Sequence, residues 1–161
     1  MSFADQVANM NFAVSKAGLA AGTTTTITIA NNTTYAIGGK AFTKTAATNA
    51  ATPTTDGLTG AAFAAVPVGS ATLGGYGCVF VVGLDASGNI KVIQGELNRT
   101  TPAAVASATF MDAPEFPAVP DTITPIGYII TKTDSTATAW TFGSSNLAGP
   151  PTGVLHTFVD C

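Results

Sequence analysis

Charged residues are scarce in this sequence of 161 residues, where they make up 9% of the chain, against about 25% in an ordinary soluble domain. A surface built mainly from uncharged Thr, Ser, Asn, Gly and Ala has little long-range repulsion, so it gives weak protection against association. The scarcity of charge therefore favours a chain that lies against partners. The length suits one domain, with room for an extended arm, and it is sufficient to bury a core without disulfides or metals.

Basic residues number six, and no two of them are adjacent. Because nucleic-acid binding draws most of its affinity from clustered cations on phosphates, we expect no nucleic-acid partner. Long apolar runs are also missing, since the longest, at 78–84, is far below the ~20 residues of a spanning helix, and we expect no membrane association. The sequence does not open on a basic region followed by an apolar core, which predicts no secretory signal and synthesis in a bacterial cytoplasm.

Residues that carry chemistry are few: the sequence has one histidine, His156, and two cysteines, Cys78 and Cys161. Such a set cannot form a usual four-ligand zinc site, so we expect no metal and no cofactor. His156 lies in an alternating run that predicts a strand, with Phe158 on the same face. The sequence nominates neither an acid nor a nucleophile to act with it, so we predict a structural histidine, no catalytic residue and no enzyme.

The two cysteines are expected to be free thiols in a reducing compartment, with Cys78 buried in its apolar run and Cys161 exposed. An intermolecular disulfide through Cys161 is the alternative. Of the acidic residues, Asp85 and Asp134 stand where hairpin turns are predicted to open, which is ordinary behaviour for Asp.

Residues 1–17 carry the one convincing helical pattern. Phe3, Val7, Met10 and Val14 follow one another at spacings of four, three and four, which places them on one stripe of a helix, and Gly18 ends the pattern. Two heptads are too short for a stable isolated coiled coil. The segment is therefore either a helix packed on its own domain or an arm that pairs with a neighbouring subunit.

Residues 18–161 have the strand patterns and turn residues of a β domain. The clearest unit is a hairpin within 76–95, in which Asp85 opens a turn and Gly88 supplies the positive φ that the turn requires. A second hairpin is predicted between 126–133 and 138–142, and a last strand at 154–159. The pattern predicts a mainly β fold, an antiparallel sandwich or barrel of short strands, with a short N-terminal helix or extended arm.

Two further segments interrupt the predicted strands. Residues 43–57 are rich in Thr and Ala with no large apolar side chain, which predicts an exposed loop or a solvated hairpin. Residues 100–125 contain five prolines and should run extended across the surface. Gly38-Gly39, between Tyr35 and Phe42, suggests a bent or bulged strand.

The order of these elements resembles a group of small tailed-bacteriophage virion proteins of the capsid decoration, or cement, type. The similarity rests on the run 78–95 and on a second element at 120–130. It also includes an ending like Trp140-Thr141-Phe142-Gly143 followed by a strand such as 154–159, and an Asn-Phe stretch like Asn11-Phe12. Together these segments cover most of residues 10–160. What it implies is a virion protein that binds and stabilises the capsid shell at subunit junctions.

The resemblance also implies a major capsid protein as the partner, a location on the capsid surface of the virion, and a homo-oligomer, with a trimer favoured. Two regions are the first choices for contact residues: the arm, with Phe3, Val7, Met10 and Val14, and the proline-rich segment around Phe116. The alternative is a head-fibre or tail-associated protein that binds a host receptor. A third class, a small hydrolase or lyase, lacks a plausible acid–base set.

Overall fold

A computed structural model describes residues 10–161 as an all-β protein whose strands pair antiparallel. The mainly β, antiparallel architecture predicted from the sequence is confirmed. The eleven strands, in chain order, are β1 (Phe12–Ala13), β2 (Leu19–Ala21), β3 (Ile27–Ile29), β4 (Thr33–Ile37), β5 (Lys40–Lys44), β6 (Ala47–Ala50), β7 (Tyr76–Asp85), β8 (Ile90–Gln94), β9 (Asn98–Arg99), β10 (Ile123–Thr133) and β11 (Val154–Asp160).

The strands form three sheets. The largest has the order β11-β10-β7-β8, with the short β9 also paired to β7, and the two smaller sheets have the orders β1-β4-β5 and β2-β3-β6. β7 and β10 are the two longest strands, and they pair from Ile123 opposite Asp85 to Thr133 opposite Tyr76. Their register shifts between Pro125 and Gly127, because proline has no N–H to donate to the ladder and is tolerated at a bulge.

The hairpin predicted within 76–95 is confirmed as β7 and β8. Asp85 closes the turn, since its Oδ1 accepts hydrogen bonds from the backbone N–H groups of Ser87 and Asn89, both at 2.9 Å. Gly88 has φ +75°, as the turn requires. The strands of this hairpin are held by local turn chemistry as well as by pairing.

The helix predicted over residues 1–17 is wrong for its described part. Residues 12–13 form β1, which pairs with Tyr35 and Ala36 of β4, and the N–H of Val14 donates to the carbonyl of Thr34 at 2.8 Å. A helix of two heptads has little stability of its own, whereas the edge of β4 offers hydrogen-bond partners. Phe3 and Val7 lie outside the described residues.

The second predicted hairpin is also wrong. Residues 127–133 of β10 pair with β11, from Gly127 opposite Asp160 to Thr133 opposite Val154, and not with residues 138–142. Trp140 instead makes an isolated bridge with Val66 and is fully buried. The segment 138–142 is irregular, and its large side chains, Trp140 and Phe142, are buried in the core.

Two loop predictions change in detail. Within 43–57, residues Ala47–Ala50 form β6 on the edge of β3, so part of this segment is strand rather than loop.

Gly38-Gly39 is the two-residue turn of the β4–β5 hairpin, with φ values of +55° and +77°, and not a bulge within one strand. A two-residue turn with positive φ at both positions matches the twist of paired strands.

The core is an aromatic cluster beneath the large sheet. Phe80 of β7 lies with its ring centroid 5.7 Å from Trp140 and 5.1 Å from Phe142, and Phe63 lies 5.2 Å from Phe142. Edge-to-face and tilted rings at these separations are favourable beyond their buried area. These residues come from β7 and from loops on both sides of it, so the cluster ties irregular segments to the sheet.

Candidate functional site

His156 lies on β11, in the strand that its alternating run predicts, and its ring faces the buried Trp140. Its Nδ1 shares a hydrogen bond of 2.9 Å with Thr131 Oγ1 on β10, and its ring centroid is 4.6 Å from that of Trp140. Burial lowers the pKa of His156 to about 4, and the backbone carbonyl of Asn146 partly offsets this shift. The imidazole is therefore neutral near pH 7 and acts as a packing group against Trp140.

Three aspartates with lowered pKa values are loop-closing groups. Burial opposes the ionisation of Asp134, but hydrogen bonds from the Thr136 hydroxyl and backbone and from the Val105 N–H outweigh it, so its pKa is lowered. Asp85 and Asp56 have lowered pKa values for the same reason. Each carboxylate is thus committed to backbone N–H groups of its own loop or a neighbouring one.

The part of the chain that the structure describes contains no group of three or more His, Cys, Asp or Glu side chains placed to hold a metal ion. Cys78 is buried and Cys161 is exposed, as predicted, and no disulfide joins them. Burial raises the pKa of Cys78 to about 12, with smaller opposing effects from hydrogen bonds to Gln94 and Gly95.

The feature best suited to binding is the outer face of the large sheet and the proline-rich segment that crosses it. Alternation along β7 places Cys78, Phe80 and Val82 in the core, and Gly77 and Val81 on the opposite face. A Cβ on Gly77 would collide with the ring of Phe110, and a Cβ on Gly95 would lie 3.4 Å from Pro117 Cδ. Lys132 Nζ donates to the Ala108 carbonyl at 2.6 Å. The segment 100–122, hereafter the strap, therefore lies directly on the sheet.

Phe116 of the strap packs edge-on against Tyr128 of β10, with ring centroids 4.9 Å apart, yet 57% of its surface remains exposed. Beside it is a groove of about 200 Å³ lined by Val81, Phe116, Pro117, Val119, Pro125, Gly127, Tyr128 and Cys161. None of these side chains is charged near pH 7. We call it the strap groove; its walls come from the strap, β7, β10 and the residue that follows β11.

A second groove, of about 350 Å³, shares Phe116 and Pro117 with the strap groove. It is lined by Leu58, Gln94, Gly95, Glu96, Glu115, Phe116, Pro117 and Ala118 and continues past Leu97 towards Asp56. Leu58 is 52% exposed and Leu97 is 41% exposed. This groove, which we call the acidic groove, combines apolar walls with Asp56, Glu96 and Glu115.

The sequence-predicted contact residues are not brought together. Met10 and Val14 flank β1 on a small sheet and are 53% and 63% exposed, whereas Phe116 lies on the strap over the large sheet. Phe3 and Val7 are outside the described residues. Leu58 and Leu97 were missed by the sequence reasoning; their signal is a single large apolar residue in a turn-rich loop, outside any alternating run.

The described fold is thus that of an all-β antiparallel protein with an exposed apolar surface around one strap. Comparisons of the chain with known protein families, with curated proteins and with solved structures found no match. Within residues 10–161, no helix has the length and apolar character needed to cross a membrane.

Proposed function

We propose that this chain is a structural protein of a bacteriophage virion, a capsid decoration protein that binds the shell at subunit junctions and stabilises it. The observation that carries the proposal is the apolar surface around the strap, where Leu58, Leu97 and Phe116 are each 41–57% exposed. Exposed apolar surface that borders polar residues is typical of protein-interaction sites. The resemblance of the element order to phage decoration proteins supplies the identity of the partner, a major capsid protein.

The proposed mechanism is association without turnover. Large side chains that are about half exposed would each contribute on the order of 1 kcal/mol when a capsid subunit covers them. Such contacts are individually weak, but a decoration protein is present in many copies, and each copy bridges adjacent subunits. Charged residues make up only 9% of the chain, but three of them, Asp56, Glu96 and Glu115, line the acidic groove between the contact residues. In the proposed complex these carboxylates stay solvated at the rim of the contact, because burying them unpaired would be costly.

Two further observations fit this proposal. Three titratable side chains with altered pKa values, His156, Asp134 and Cys78, are committed to loop closure or to the core. The strap packs on the sheet through Phe110, Pro117 and Lys132, so the part of the proposed contact surface around Phe116 is supported before binding. A preformed surface loses less conformational entropy on association. In the proposed role the protein has no catalytic activity.

The test is co-sedimentation of the purified protein with empty capsids of the phage that encodes it. We expect saturable binding, and we expect Leu58→Ser with Phe116→Ser to weaken it at least ~10-fold, since two apolar contacts of about 1 kcal/mol each are lost. The matched control is Leu73→Ser, because Leu73 is 63% exposed but lies in the 70–74 turn, away from both grooves.

Wild-type protein that binds host cells and leaves capsids bare would contradict the decoration role and support the head-fibre or tail-associated alternative. Cryo-electron microscopy of decorated particles would then locate the bound copies and count them. Three-fold clusters at subunit junctions are expected, because the proposal favours a homotrimer.

A further inference from the structure

We propose that the outer edge of β11 is a self-association surface, on which β11 of a second copy pairs antiparallel and extends the large sheet across a two-fold axis. The inference goes beyond capsid binding, since it concerns a contact between copies of the chain in solution, and it is independent of the three-fold clusters expected on the shell. Its basis is the outward-facing backbone of β11, the protection of the other sheet edges, and the self-complementary sequence of the strand.

The backbone of β11 alternates between β10 and the open side of the sheet. Directly after the strand, the N–H of Cys161 donates to the carbonyl of Ile126 at 3.2 Å. Because successive residues of an antiparallel strand direct their N–H and C=O groups to opposite sides, the odd-numbered residues of β11 bond to β10. The backbone groups of His156 and Phe158 therefore point away from β10.

These outward groups lack a partner in the part of the chain that the structure describes. β11 is the last strand in the order of the large sheet, and among residues 10–161 no group donates to or accepts from the backbone of His156 or Phe158 on that side. Thr157, between them, is exposed. A row of unpaired N–H and C=O groups is a template for a further strand.

The other described edges are protected. Asp56 accepts a hydrogen bond from the Gln94 N–H, and its loop covers β8. β5 carries Lys40 and Lys44, and β1, β2, β6 and β9 are only two to four residues long. Covering loops, lysines and short strands are means by which sheet edges avoid pairing. By contrast β11 has seven residues, and its first six, 154–159, carry no charge near pH 7.

The sequence of β11 suits pairing with itself. A two-fold axis at Thr157 aligns the whole strand, whereas an axis at either neighbouring residue would align only residues 154–158 or 156–160. With the axis at Thr157, Leu155 lies opposite Val159 of the partner subunit, and such apolar cross-strand pairs stabilise a sheet. The longest ladder is thus also one with matched side chains.

Self-pairing also suits the charge of the strand and limits the assembly. Asp160 lies opposite Val154 of the partner subunit, so no like charges face each other in the ladder. Both open edges are used, and the Asp56 loop covers β8 at the far end of each sheet, so this pairing stops at two copies. An edge contact of this length is smaller than the ~1,600 Å² of a standard interface, so we expect a dimer that dissociates at micromolar concentrations.

Sedimentation velocity over about 1–200 µM protein measures the contact, and the wild-type mass should double over this range. Thr157→Lys and Thr157→Asp should each weaken association at least ~10-fold, since like charges then lie directly opposite each other. An equimolar mixture of the two variants should associate at least ~10-fold more tightly than either alone, which also shows that both are folded. Thr43→Lys, at an exposed position on β5, is the matched control and should behave as wild type.

A second measurement traps the register. In a non-hydrogen-bonded antiparallel pair the two Cα atoms are ~4.5 Å apart, within the ~4.4–6.8 Å that a disulfide requires. Cys161→Ser removes the exposed native thiol. In that background Thr157→Cys should form disulfide-linked dimers at least ~10-fold faster than Thr43→Cys under the same mild oxidation.

A constant mass up to ~200 µM, or a mixture of the two charged variants that associates no better than either alone, would overturn the proposal. The competing occupant is an extended segment of capsid protein. A chain that stays monomeric, and whose Phe158 amide becomes protected from hydrogen exchange when capsid protein is added, would assign the edge to that partner and overturn the proposal as well. The mass and disulfide measurements use no particles, so their failure is distinct from failure of the decoration role.

Discussion

The Asp56 carboxylate closes the outer edge of the large sheet by accepting a hydrogen bond from the backbone N–H of Gln94 at 2.7 Å through Oδ2. Its Oδ1 accepts hydrogen bonds from the N–H groups of Leu58 and Thr59 at 2.9 and 2.8 Å, and the N–H of Gly57 donates to the carbonyl of Val92. One aspartate loop thus covers β8, which would otherwise offer an unpaired edge to another chain.

We predict that Asp56→Ala lowers the free energy of unfolding by about 2–3 kcal/mol, because backbone N–H groups lose charge-assisted partners. Urea denaturation measures the change. Asp56→Asn, which retains one acceptor oxygen, should cost less, and Asp112→Ala, at an exposed position, should cost within about 0.5 kcal/mol. Equal stability of Asp56→Ala and wild type would show that the loop does not hold the edge.

His156 should make stability depend on pH in a defined window. Because burial lowers its folded pKa from 6.5 to about 4, the unfolded chain binds the proton first as the pH falls. Stability should be full above pH 6.5 and decrease by about 1.4 kcal/mol per pH unit down to about pH 4, a total of about 3 kcal/mol.

In His156→Gln the free energy of unfolding should not change between pH 6.5 and 4 when unfolding is followed by Trp140 fluorescence. Asp56, Asp85 and Asp134, whose folded pKa values are lowered, stabilise the fold above the unfolded carboxyl pKa and lose that contribution below about pH 4. The two windows are therefore separable. An unchanged slope between pH 6.5 and 4 in His156→Gln would assign the dependence to other groups.

The contact between Gly77 and the Phe110 ring should be detectable by a double-mutant cycle. Gly77→Ala places a Cβ into that ring, so it should destabilise the protein by about 1–3 kcal/mol through overpacking. In a Phe110→Ala background the same substitution should cost little, which gives a coupling energy of about 1 kcal/mol or more. If the destabilisations caused by the two substitutions were additive, the strap would move away from the new Cβ without strain.

The two thiols should differ sharply in reactivity. In native protein at pH 8, a thiol reagent should modify Cys161 and leave Cys78 unmodified, because burial raises the pKa of Cys78 to about 12 and the thiolate is the reactive form. Both should react in denaturant. Two thiols modified at the same rate without denaturant would show that the core around Cys78 opens readily.

Local sequence chemistry predicted some elements well. The β7–β8 hairpin follows from an apolar run, an Asp that can accept two backbone N–H groups, and a glycine at the position with φ +75°. The burial of Cys78 follows from its place in a continuous apolar run, and the strand that contains His156 follows from alternation. These features depend on neighbours within a few residues, so the sequence contains them directly.

The candidate site was predicted only in part. Phe116 was selected, and it is exposed beside the strap groove, but its neighbours Tyr128, Val81 and Cys161 come from positions 12–45 residues away along the chain. Leu58 and Leu97, on the acidic groove, carry no local pattern that distinguishes an exposed leucine from a core one. A groove forms where elements that are distant in sequence pack together. Patterns in a single sequence do not predict which elements pack together.

By itself the sequence determined a mainly β chain that is poor in charged residues and has one well-defined hairpin, because composition, alternation and turn residues act locally. Only the tertiary structure decided the pairing of β10 with β11 in place of 138–142, and the extended form of residues 12–13. The physical reason is that strand pairing depends on which distant edge is free and on which side chains the core can hold. Trp140 is buried in the core, and Phe12 pairs with the edge of β4. The residues close to Trp140 and Phe12 in the sequence predict neither contact.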